Sequence, residues 1–193
     1  WEEMHASYFE QARGLIAGGI DGFMIETSQD LLQQKIAINA CIDALKEAGL
    51  TPEDRAIFSS VTIETTGTML LGSDIAAVVN ALKPFPIASL GLNCATGPVE
   101  MAEHVAYIAK NWDRAISVLP NAGLPILVEG RTEYPLGAKP FREAMQRFLE
   151  EYKVNSVGGC CGTTPEHIAA IGSAVSPLQP RGVHAWGGYK QAA

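Results

Sequence analysis

Three cysteines in this sequence have the neighbours and the spacing that a metal site requires. Cys160 and Cys161 lie side by side in the run GGCCGTTP at 158–165, at a predicted junction between a strand and a helix, and Cys94 lies at another such junction in GLNC at 91–94. Cysteine thiolates bind soft divalent metals, and three protein ligands leave zinc one open position for a substrate. The trio therefore predicts a catalytic zinc site formed by Cys94, Cys160 and Cys161.

The adjacency of Cys160 and Cys161 limits the structure around them. Successive side chains of a strand point to opposite faces, so adjacent cysteines converge on one ion only where the strand breaks into a turn. Glycines on both sides of the pair give the backbone that freedom. Core packing and a vicinal redox disulfide are the alternatives, but the disulfide leaves Cys94 without a role. Metal binding is the interpretation that uses all three cysteines.

The fourth cysteine and a nearby histidine have other interpretations. Cys41 shares the i, i+3, i+4, i+7 stripe of a predicted helix with Ile38, Ile42 and Leu45, so we expect it to pack in the core. His167 follows the cysteine pair closely and could be taken for a metal ligand. Because the predicted site is complete without it, we expect His167 to lie on the surface of a helix.

Composition limits the class of protein. The chain has 193 residues, 47% of them hydrophobic, which is enough for one sizeable core. Its net charge of -7 argues against nucleic-acid and anionic membrane partners, and no apolar run approaches the roughly 20 residues of a membrane helix. Four cysteines are too few for a disulfide framework, so we expect a reducing cytoplasm. Because the chain begins at Trp1, we also expect it to belong to a longer polypeptide.

Apolar segments that suit strands alternate along the chain with segments that suit helices. This alternation is typical of an α/β protein built on a parallel sheet, whose covered strands are apolar and poor in charge. The predicted strands are 22–26, 56–63, 87–92, 125–129 and 154–158. Beyond residue 175, prolines and glycines replace the pattern. We therefore predict one domain over 1–175 and a tail or linker over 176–193.

Reactive and polar residues follow one predicted strand after another. Glu26, Cys94, Glu129 and the cysteine pair all lie at or just after predicted strand ends. Barrel enzymes collect catalytic groups in this way around one mouth. An open doubly wound sheet would also accommodate these strands, but the sequence has neither a dinucleotide fingerprint nor a P-loop. The prediction is a (β/α)8 TIM-type barrel, of which this chain supplies about the last five β/α units.

Three longer motifs follow one another in the chain. They are GLNCATGP at 91–98, PNAGLP at 120–125 and VGGCCGTTPEH at 157–167. In this order they closely resemble the homocysteine S-methyltransferase family, specifically the homocysteine-binding barrel of the cobalamin-dependent methionine synthase type. The resemblance runs from about Tyr8 to Val175 and implies a (β/α)8 barrel.

The resemblance also implies roles for single residues. In this family the cysteines that match Cys94, Cys160 and Cys161 hold zinc, and the zinc binds the thiol of homocysteine. Glu26 matches a glutamate that contacts the amino-acid end of the substrate. Asn121 matches an asparagine that lies near the metal.

The function implied by the resemblance is that of a zinc-dependent methyltransferase domain, which activates homocysteine as a thiolate and forms methionine. The methyl group would come from methylcobalamin on a corrinoid-carrying domain or protein, so cobalamin enters only through that partner. Two departures concern the substrate site: the family's first barrel strands are absent from these residues, and the segment ETTGT at 64–68 lacks the family's arginine. Neither touches the zinc cysteines. The isolated segment is expected to be weakly active or inactive.

Two other functions stay open from the sequence. One is a non-catalytic zinc-binding barrel fragment, and the other is a thiol redox protein that uses Cys160 and Cys161. Metal content separates the redox protein from the other two. Homocysteine binding separates the methyltransferase from the fragment.

Overall fold

The computed structural model describes residues 1–175, and the predicted tail over 176–193 lies outside the described residues. The helices are α1 (Glu2–Ala17), α2 (Leu31–Glu47), α3 (Ile75–Leu82), α4 (Pro98–Asn111), α5 (Ala138–Glu151) and α6 (Pro165–Val175). The strands are β1 (Gly22–Ser28), β2 (Ala56–Val61), β3 (Ser89–Asn93), β4 (Ala115–Leu119), β5 (Ile126–Val128), β6 (Arg131–Glu133) and β7 (Ser156–Val157). Among these helices, none has both the length and the apolar character needed to cross a membrane.

Five of the strands form one parallel sheet in the order β1-β2-β3-β4-β7. Each connection between neighbouring strands contains a helix, and because such crossovers are right-handed, the helices lie on one face of the sheet. Contacts between successive helices along the chain agree with this arrangement. The predicted α/β fold with a parallel sheet is confirmed. In the described part of the chain, β1 and β7 are the edges of this sheet.

The hydrophobic core fills the space between the sheet and its helices. Alternate residues of the central strands point into it, among them Leu90 and Leu92 of β3 and Ile116 and Val118 of β4, all fully buried. Because strand side chains alternate, the residues between these face the other side of the sheet. That second face carries small and polar residues such as Gly91, which distinguishes it from the face that the helices cover.

Two helices that follow strand ends begin at aspartates. The Asp30 carboxylate accepts the backbone amides of Leu32 and Gln33 at 2.9 and 3.0 Å and begins α2. Asp74 begins α3 in the same way, through the amide of Ala77 at 2.7 Å. These carboxylates satisfy amide groups that the first turn of a helix leaves without partners. The chain therefore leaves the sheet and enters each helix at a defined residue.

The predicted sheet strand at 125–129 is wrong, because the fourth strand of the sheet is β4 at Ala115–Leu119. The predicted segment instead supplies β5, which pairs antiparallel with β6 in a hairpin outside the sheet. Glu129 and Gly130 have φ of 49° and 77° and form the two-residue turn of this hairpin. Its apolar side chains are on the surface, with Leu127 77% exposed. Glu129 therefore lies at a hairpin turn and not at the end of a sheet strand.

Candidate metal centre

The three predicted zinc cysteines come together at the carboxyl edge of the sheet. Cys94 directly follows β3, while Cys160 and Cys161 lie in the loop after β7. Their sulfur atoms all lie within 4.8 Å of one another. Because parallel strands end at the same edge, segments far apart in the sequence deliver their thiols to one place.

One separation between these sulfurs has the length expected at a tetrahedral metal ion. Zinc binds thiolate sulfur at about 2.3 Å, which places two sulfurs of a tetrahedron about 3.8 Å apart. Sγ of Cys94 and Sγ of Cys161 are separated by 3.8 Å, the length of that edge. Cys94 and Cys160 are half-buried and Cys161 is exposed, so one side of the cluster is open to solvent. Three thiols with an open side could hold a metal ion and leave one of its coordination positions free.

The turn after β3 contains backbone conformations that residues other than glycine rarely adopt. Cys94 and Ala95 have φ of 63° and 58°. Such residues cost on the order of 1 to 3 kcal/mol each and persist where surrounding contacts hold them. Here the amide of Cys94 donates to the Leu119 carbonyl at 3.2 Å, and the amide of Cys160 donates to the Pro120 carbonyl at 2.8 Å. Both cysteine loops are therefore attached to the end of β4.

The cluster disfavours an accumulation of negative charge. Burial, together with charge on the neighbouring Cys94 and Cys161 thiolates, raises the pKa of the Cys160 thiol to about 11. A divalent cation would remove this penalty, because metal coordination deprotonates a thiol.

Cys41 contrasts with the trio. It is buried in the core, as predicted, and burial raises its pKa to about 12.

Asn121, the residue predicted near the metal, lies just beyond β4 and beside the cluster. Its side chain is buried, and its Oδ1 accepts a hydrogen bond from the backbone amide of Cys161 at 3.0 Å. Its own amide donates to the carbonyl of Thr96 at 3.0 Å, and the amide of Ala122 donates to the Cys161 carbonyl at 2.9 Å. The structure thus brings Asn121 to the cysteines, where its carboxamide positions Cys161.

Glu26, the predicted substrate contact, lies in β1 with an exposed side chain. The next residue, Thr27, has φ of 60°, which is unusual for a β-branched residue. Its amide donates to Oδ1 of Asn93 at 3.0 Å, so the chain after Glu26 is tied to the residue that precedes Cys94. Glu26 is therefore at the same edge of the sheet as the cysteines, two strands away from Cys94.

The sequence places Asn93 at a predicted strand end beside Cys94 but indicates no role for it, whereas in the structure its carboxamide connects several strand ends. The residue is only 1% exposed. Oδ1 accepts from the hydroxyl of Ser60 at 2.7 Å, and Nδ2 donates to the hydroxyl of Thr27 at 2.8 Å. Nδ2 also lies 4.0 Å from Sγ of Cys160. The available signal was an amide side chain at the end of a buried strand, directly before a predicted ligand.

His167 is buried, so the expectation of a helix-surface position is wrong. Only 7% of the residue is exposed. Nε2 donates to the carbonyl of Leu136 at 2.8 Å, Nδ1 accepts from the amide of Thr164 at 3.2 Å, and the ring packs edge-on against Phe141. The histidine is buried because the segment after β6 folds over the first turn of α6. Its ring nitrogens join these two elements.

Tyr134, in the segment after β6, is a second residue that the sequence reasoning missed. Its ring covers the backbone of Gly162, where φ is 76° and a Cβ atom would enter the space of the ring. Burial, and then a hydrogen bond with the Cys161 thiol, raise the pKa of the Tyr134 hydroxyl. The hairpin outside the sheet therefore delivers a side chain to the cysteine cluster. No motif marks this tyrosine in the sequence.

Solved structures share this fold. The chain is similar to the homocysteine methyltransferase MmuM from Escherichia coli in its apo form, with a TM-score of 0.67 and 20% identity over 90% of this chain and 57% of that one. The metallated form of MmuM gives a TM-score of 0.59 and 19% identity over 86% of this chain and 51% of that one. At this identity the likeness shows the fold alone.

Sequence comparison shows the family. Methionine synthase from Mycobacterium leprae is 46% identical over 170 residues, which are 88% of this chain and 14% of that protein. Methionine synthase from Mycobacterium tuberculosis is 45% identical over 173 residues, 90% of this chain and 14% of that protein. The chain thus spans about one seventh of the length of these relatives. A family model described as homocysteine S-methyltransferase matches residues 1–175, and the chain belongs to this family, as its motifs predicted.

Proposed function

We propose that this chain is the zinc-binding, homocysteine-activating part of a methyltransferase that forms methionine. The observation that carries the proposal is the cluster of three cysteine sulfurs within 4.8 Å of one another at the carboxyl edge of a parallel sheet. Membership of the homocysteine S-methyltransferase family supports the substrate. The relatives named methionine synthase support the product.

The sheet, in this proposal, is part of a (β/α)8 barrel, with the domain over 1–175 and a tail or linker over 176–193. Sequential strand order, helices on one face and a site at the carboxyl ends of the strands are features of such barrels. The described parallel strands would be the last five of eight. The chain matches 57% of the Escherichia coli protein, which supports a partial barrel.

Cys94, Cys160 and Cys161 would hold zinc as thiolates. When bound, zinc supplies the positive charge that keeps a coordinated thiol deprotonated at neutral pH. The end of β4 and the carboxamide of Asn121 hold the two cysteine loops in place. The open side of the cluster leaves the fourth position to the thiol of homocysteine. Reduced thiols of this kind suit the cytoplasm.

Homocysteine would bind with its thiol at the cluster and its amino-acid end toward β1. The Glu26 carboxylate, exposed at the same edge of the sheet, would pair with the ammonium group of the substrate. Asn121, whose Oδ1 is fixed by the Cys161 amide, would be the polar neighbour of the metal. The substrate would thus be held at both of its ends.

In the reaction, the homocysteine thiolate attacks an activated methyl group. A sulfur–carbon bond forms while the bond between the methyl group and its carrier breaks, and the electron pair of that bond stays on the carrier. The thiol proton has already passed to solvent on binding. The proposed donor is methylcobalamin on a corrinoid-carrying domain or protein. This chain covers only 14% of the methionine synthases that it matches, so most of such a protein lies outside it.

Homocysteine binding to the zinc-loaded whole polypeptide tests the proposal. Calorimetry in buffers of different ionisation enthalpy should show proton release near neutral pH, because the thiol loses its proton at the metal. Homoserine, which carries a hydroxyl in place of the thiol, should bind much more weakly. Equally tight binding of homoserine, or protein purified without chelator that contains no zinc, would contradict the proposal.

The two alternatives lead to different results in the same experiment. A non-catalytic zinc-binding fragment would contain zinc and would not bind homocysteine. A thiol redox protein based on Cys160 and Cys161 would purify without metal. The separation of 3.8 Å between the sulfurs of Cys94 and Cys161 favours a site of three thiols over a vicinal pair.

A further inference from the structure

We propose that Asn93 is a positioning residue of the metal site, which directs a side-chain N–H at the Cys160 sulfur and holds the turn after Glu26. This inference rests on the proposed function. It adds a physical link between the metal ligands and the strand that would receive the amino-acid end of homocysteine. Asn93 is the last residue of β3 and directly precedes Cys94, so it lies between the two parts of the site.

The orientation of the Asn93 carboxamide is set by its partners. Oδ1 accepts two hydrogen bonds, from the hydroxyl of Ser60 at 2.7 Å and from the amide of Thr27 at 3.0 Å. Rotating the carboxamide by half a turn would place its NH2 group against the Thr27 amide, which can only donate. One hydrogen of Nδ2 is taken by the hydroxyl of Thr27 at 2.8 Å. The other is directed at Sγ of Cys160, 4.0 Å from Nδ2.

The side-chain N–H of Asn93 is shielded from solvent. Asn93 is 1% exposed, and Cys160 is the more buried member of the adjacent cysteine pair. A hydrogen-bond donor beside a thiolate stabilises the charged sulfur, and such donors are stronger when one partner is ionised. Side chains that orient metal ligands in this manner commonly affect metal affinity as well as ligand geometry. Asn93 is therefore a partner of the Cys160 thiolate.

The same carboxamide holds Thr27 in a left-handed conformation. With φ of 60°, Thr27 has a backbone that a β-branched residue rarely adopts, and both its amide and its hydroxyl bond to Asn93. Glu26 directly precedes this turn. Loss of the carboxamide would release Thr27 and displace Glu26, so one substitution would affect metal binding and substrate binding together.

Asn93→Ala in the whole polypeptide tests this inference. Zinc competition with a chromophoric chelator should show a dissociation constant raised by about 10- to 100-fold, the usual effect of removing a group that orients a metal ligand. In the cobalt-substituted protein, the thiolate-to-cobalt charge-transfer band should move to longer wavelength, because the sulfur loses a hydrogen-bond donor. Homocysteine affinity, measured at saturating metal, should also fall.

Asn155→Ala is the matched control. Its Oδ1 accepts a hydrogen bond from the amide of Ile116 at 3.0 Å, near the start of β4 and away from the cluster. This variant should keep the parental zinc affinity and cobalt spectrum. Parental zinc affinity with an unmoved band in Asn93→Ala, or equal changes in both variants, would overturn the inference while leaving the proposed function standing. An unaltered protein that binds no zinc would overturn both.

If Asn93→Ala does not fold, Thr27→Val provides the second test. Valine keeps the shape of threonine but removes the hydroxyl that accepts from Nδ2 of Asn93. The cobalt band should then move in the same direction by a smaller amount, because the carboxamide loses one of its anchors. Zinc affinity and a cobalt spectrum identical to those of the parent would overturn the inference.

Discussion

At the scale of the residue, the surroundings of each thiol decide its role. Cys41 is enclosed by the core, where burial raises its pKa to about 12 and keeps it neutral, so it packs as a small apolar residue. The thiols of Cys94, Cys160 and Cys161 share one small volume at the strand ends and are half-buried or exposed. Only the second environment offers several thiols to one cation.

Serine substitutions should separate these two kinds of cysteine. Cys94→Ser, Cys160→Ser and Cys161→Ser should each lose most of the bound zinc, because a hydroxyl is a far poorer ligand for a soft metal than a thiolate. Cys41→Ser should keep zinc and lose about 1 to 3 kcal/mol of stability, since it buries a hydroxyl among apolar groups. Elemental analysis and urea unfolding measure both effects. Equal zinc loss in all four variants would show that damage to the fold is responsible.

Removing the metal should reveal the high pKa of Cys160. The raised value of about 11 means that its thiol stays protonated at neutral pH in metal-free protein. Because the thiolate is the reactive form, alkylation of Cys160 should accelerate by about tenfold per pH unit toward that value. Peptide mass spectrometry after timed alkylation follows this residue by itself. An alkylation rate that levels off near pH 9 would contradict the raised pKa of Cys160. Equal alkylation rates with and without bound zinc would contradict its role as a zinc ligand.

At the scale of the element, the β5–β6 hairpin and the loop after β7 form one packed unit. Tyr134 lies over Gly162, and the amide of Leu136 donates to the Ala122 carbonyl at 3.0 Å. The carbonyl of Leu136 accepts from His167 at the start of α6. A hairpin that adds nothing to the sheet thus supports the loop of the paired cysteines.

Gly162→Ala should disrupt this unit more than a comparable change elsewhere. A Cβ at Gly162 enters the Tyr134 ring, and a φ of 76° adds a conformational cost. Gly130→Ala is the control, because Gly130 has φ of 77° with open space around it. Urea unfolding should show a loss of about 1 to 2 kcal/mol for Gly130→Ala and about 1 to 3 kcal/mol more for Gly162→Ala.

A double variant separates the clash from the backbone strain. Adding Tyr134→Gly to Gly162→Ala removes both the ring and the Cβ of Tyr134, which the new Cβ would meet, so part of the lost stability should return as a coupling energy. The double variant should also bind zinc more tightly than Gly162→Ala alone, as measured by chelator competition. Strictly additive effects on stability would show that the Tyr134 side chain does not confine Gly162.

At the scale of the whole molecule, the described sheet has two unpaired edges, β1 and β7. A groove of about 470 Å³ lies beside β1 and is lined by residues of α1, β1 and α2 that include Phe23 and Met24. Met24 is 45% exposed although it lies in a strand. Unpaired strand edges and exposed apolar side chains are surfaces that further strands would cover in a closed barrel.

Expressed by itself, this segment should associate or be poorly soluble, because both sheet edges offer free backbone groups to other chains. A longer polypeptide that includes the preceding part of its natural sequence should be monomeric and should gain methyl-transfer activity. Light scattering together with a methyl-transfer assay compares the two. A monodisperse and fully active monomer of 20.6 kDa from the segment would contradict the proposed partial barrel.

The sequence by itself determined the family, the alternation of strands and helices, and which three cysteines come together. These features depend on residue types and local backbone chemistry. The glycines around Cys160 and Cys161 permit the turn that lets adjacent thiols converge, and the helical stripe of Cys41 marks a core position. The glycine pattern and the helical stripe could each be interpreted without knowing which elements pack together.

Only the tertiary structure decided features that depend on contacts between distant segments. The runs at 115–119 and 125–129 are both short and apolar, but only the first enters the sheet, where it forms β4 and pairs with β3 on one side and β7 on the other. His167 is buried because the segment after β6 covers it. The Asn93 carboxamide meets Thr27 and Cys160 only once β1, β3 and β7 end at the same edge of one sheet. Residue patterns along one segment do not encode such contacts, because each requires a partner that the fold supplies.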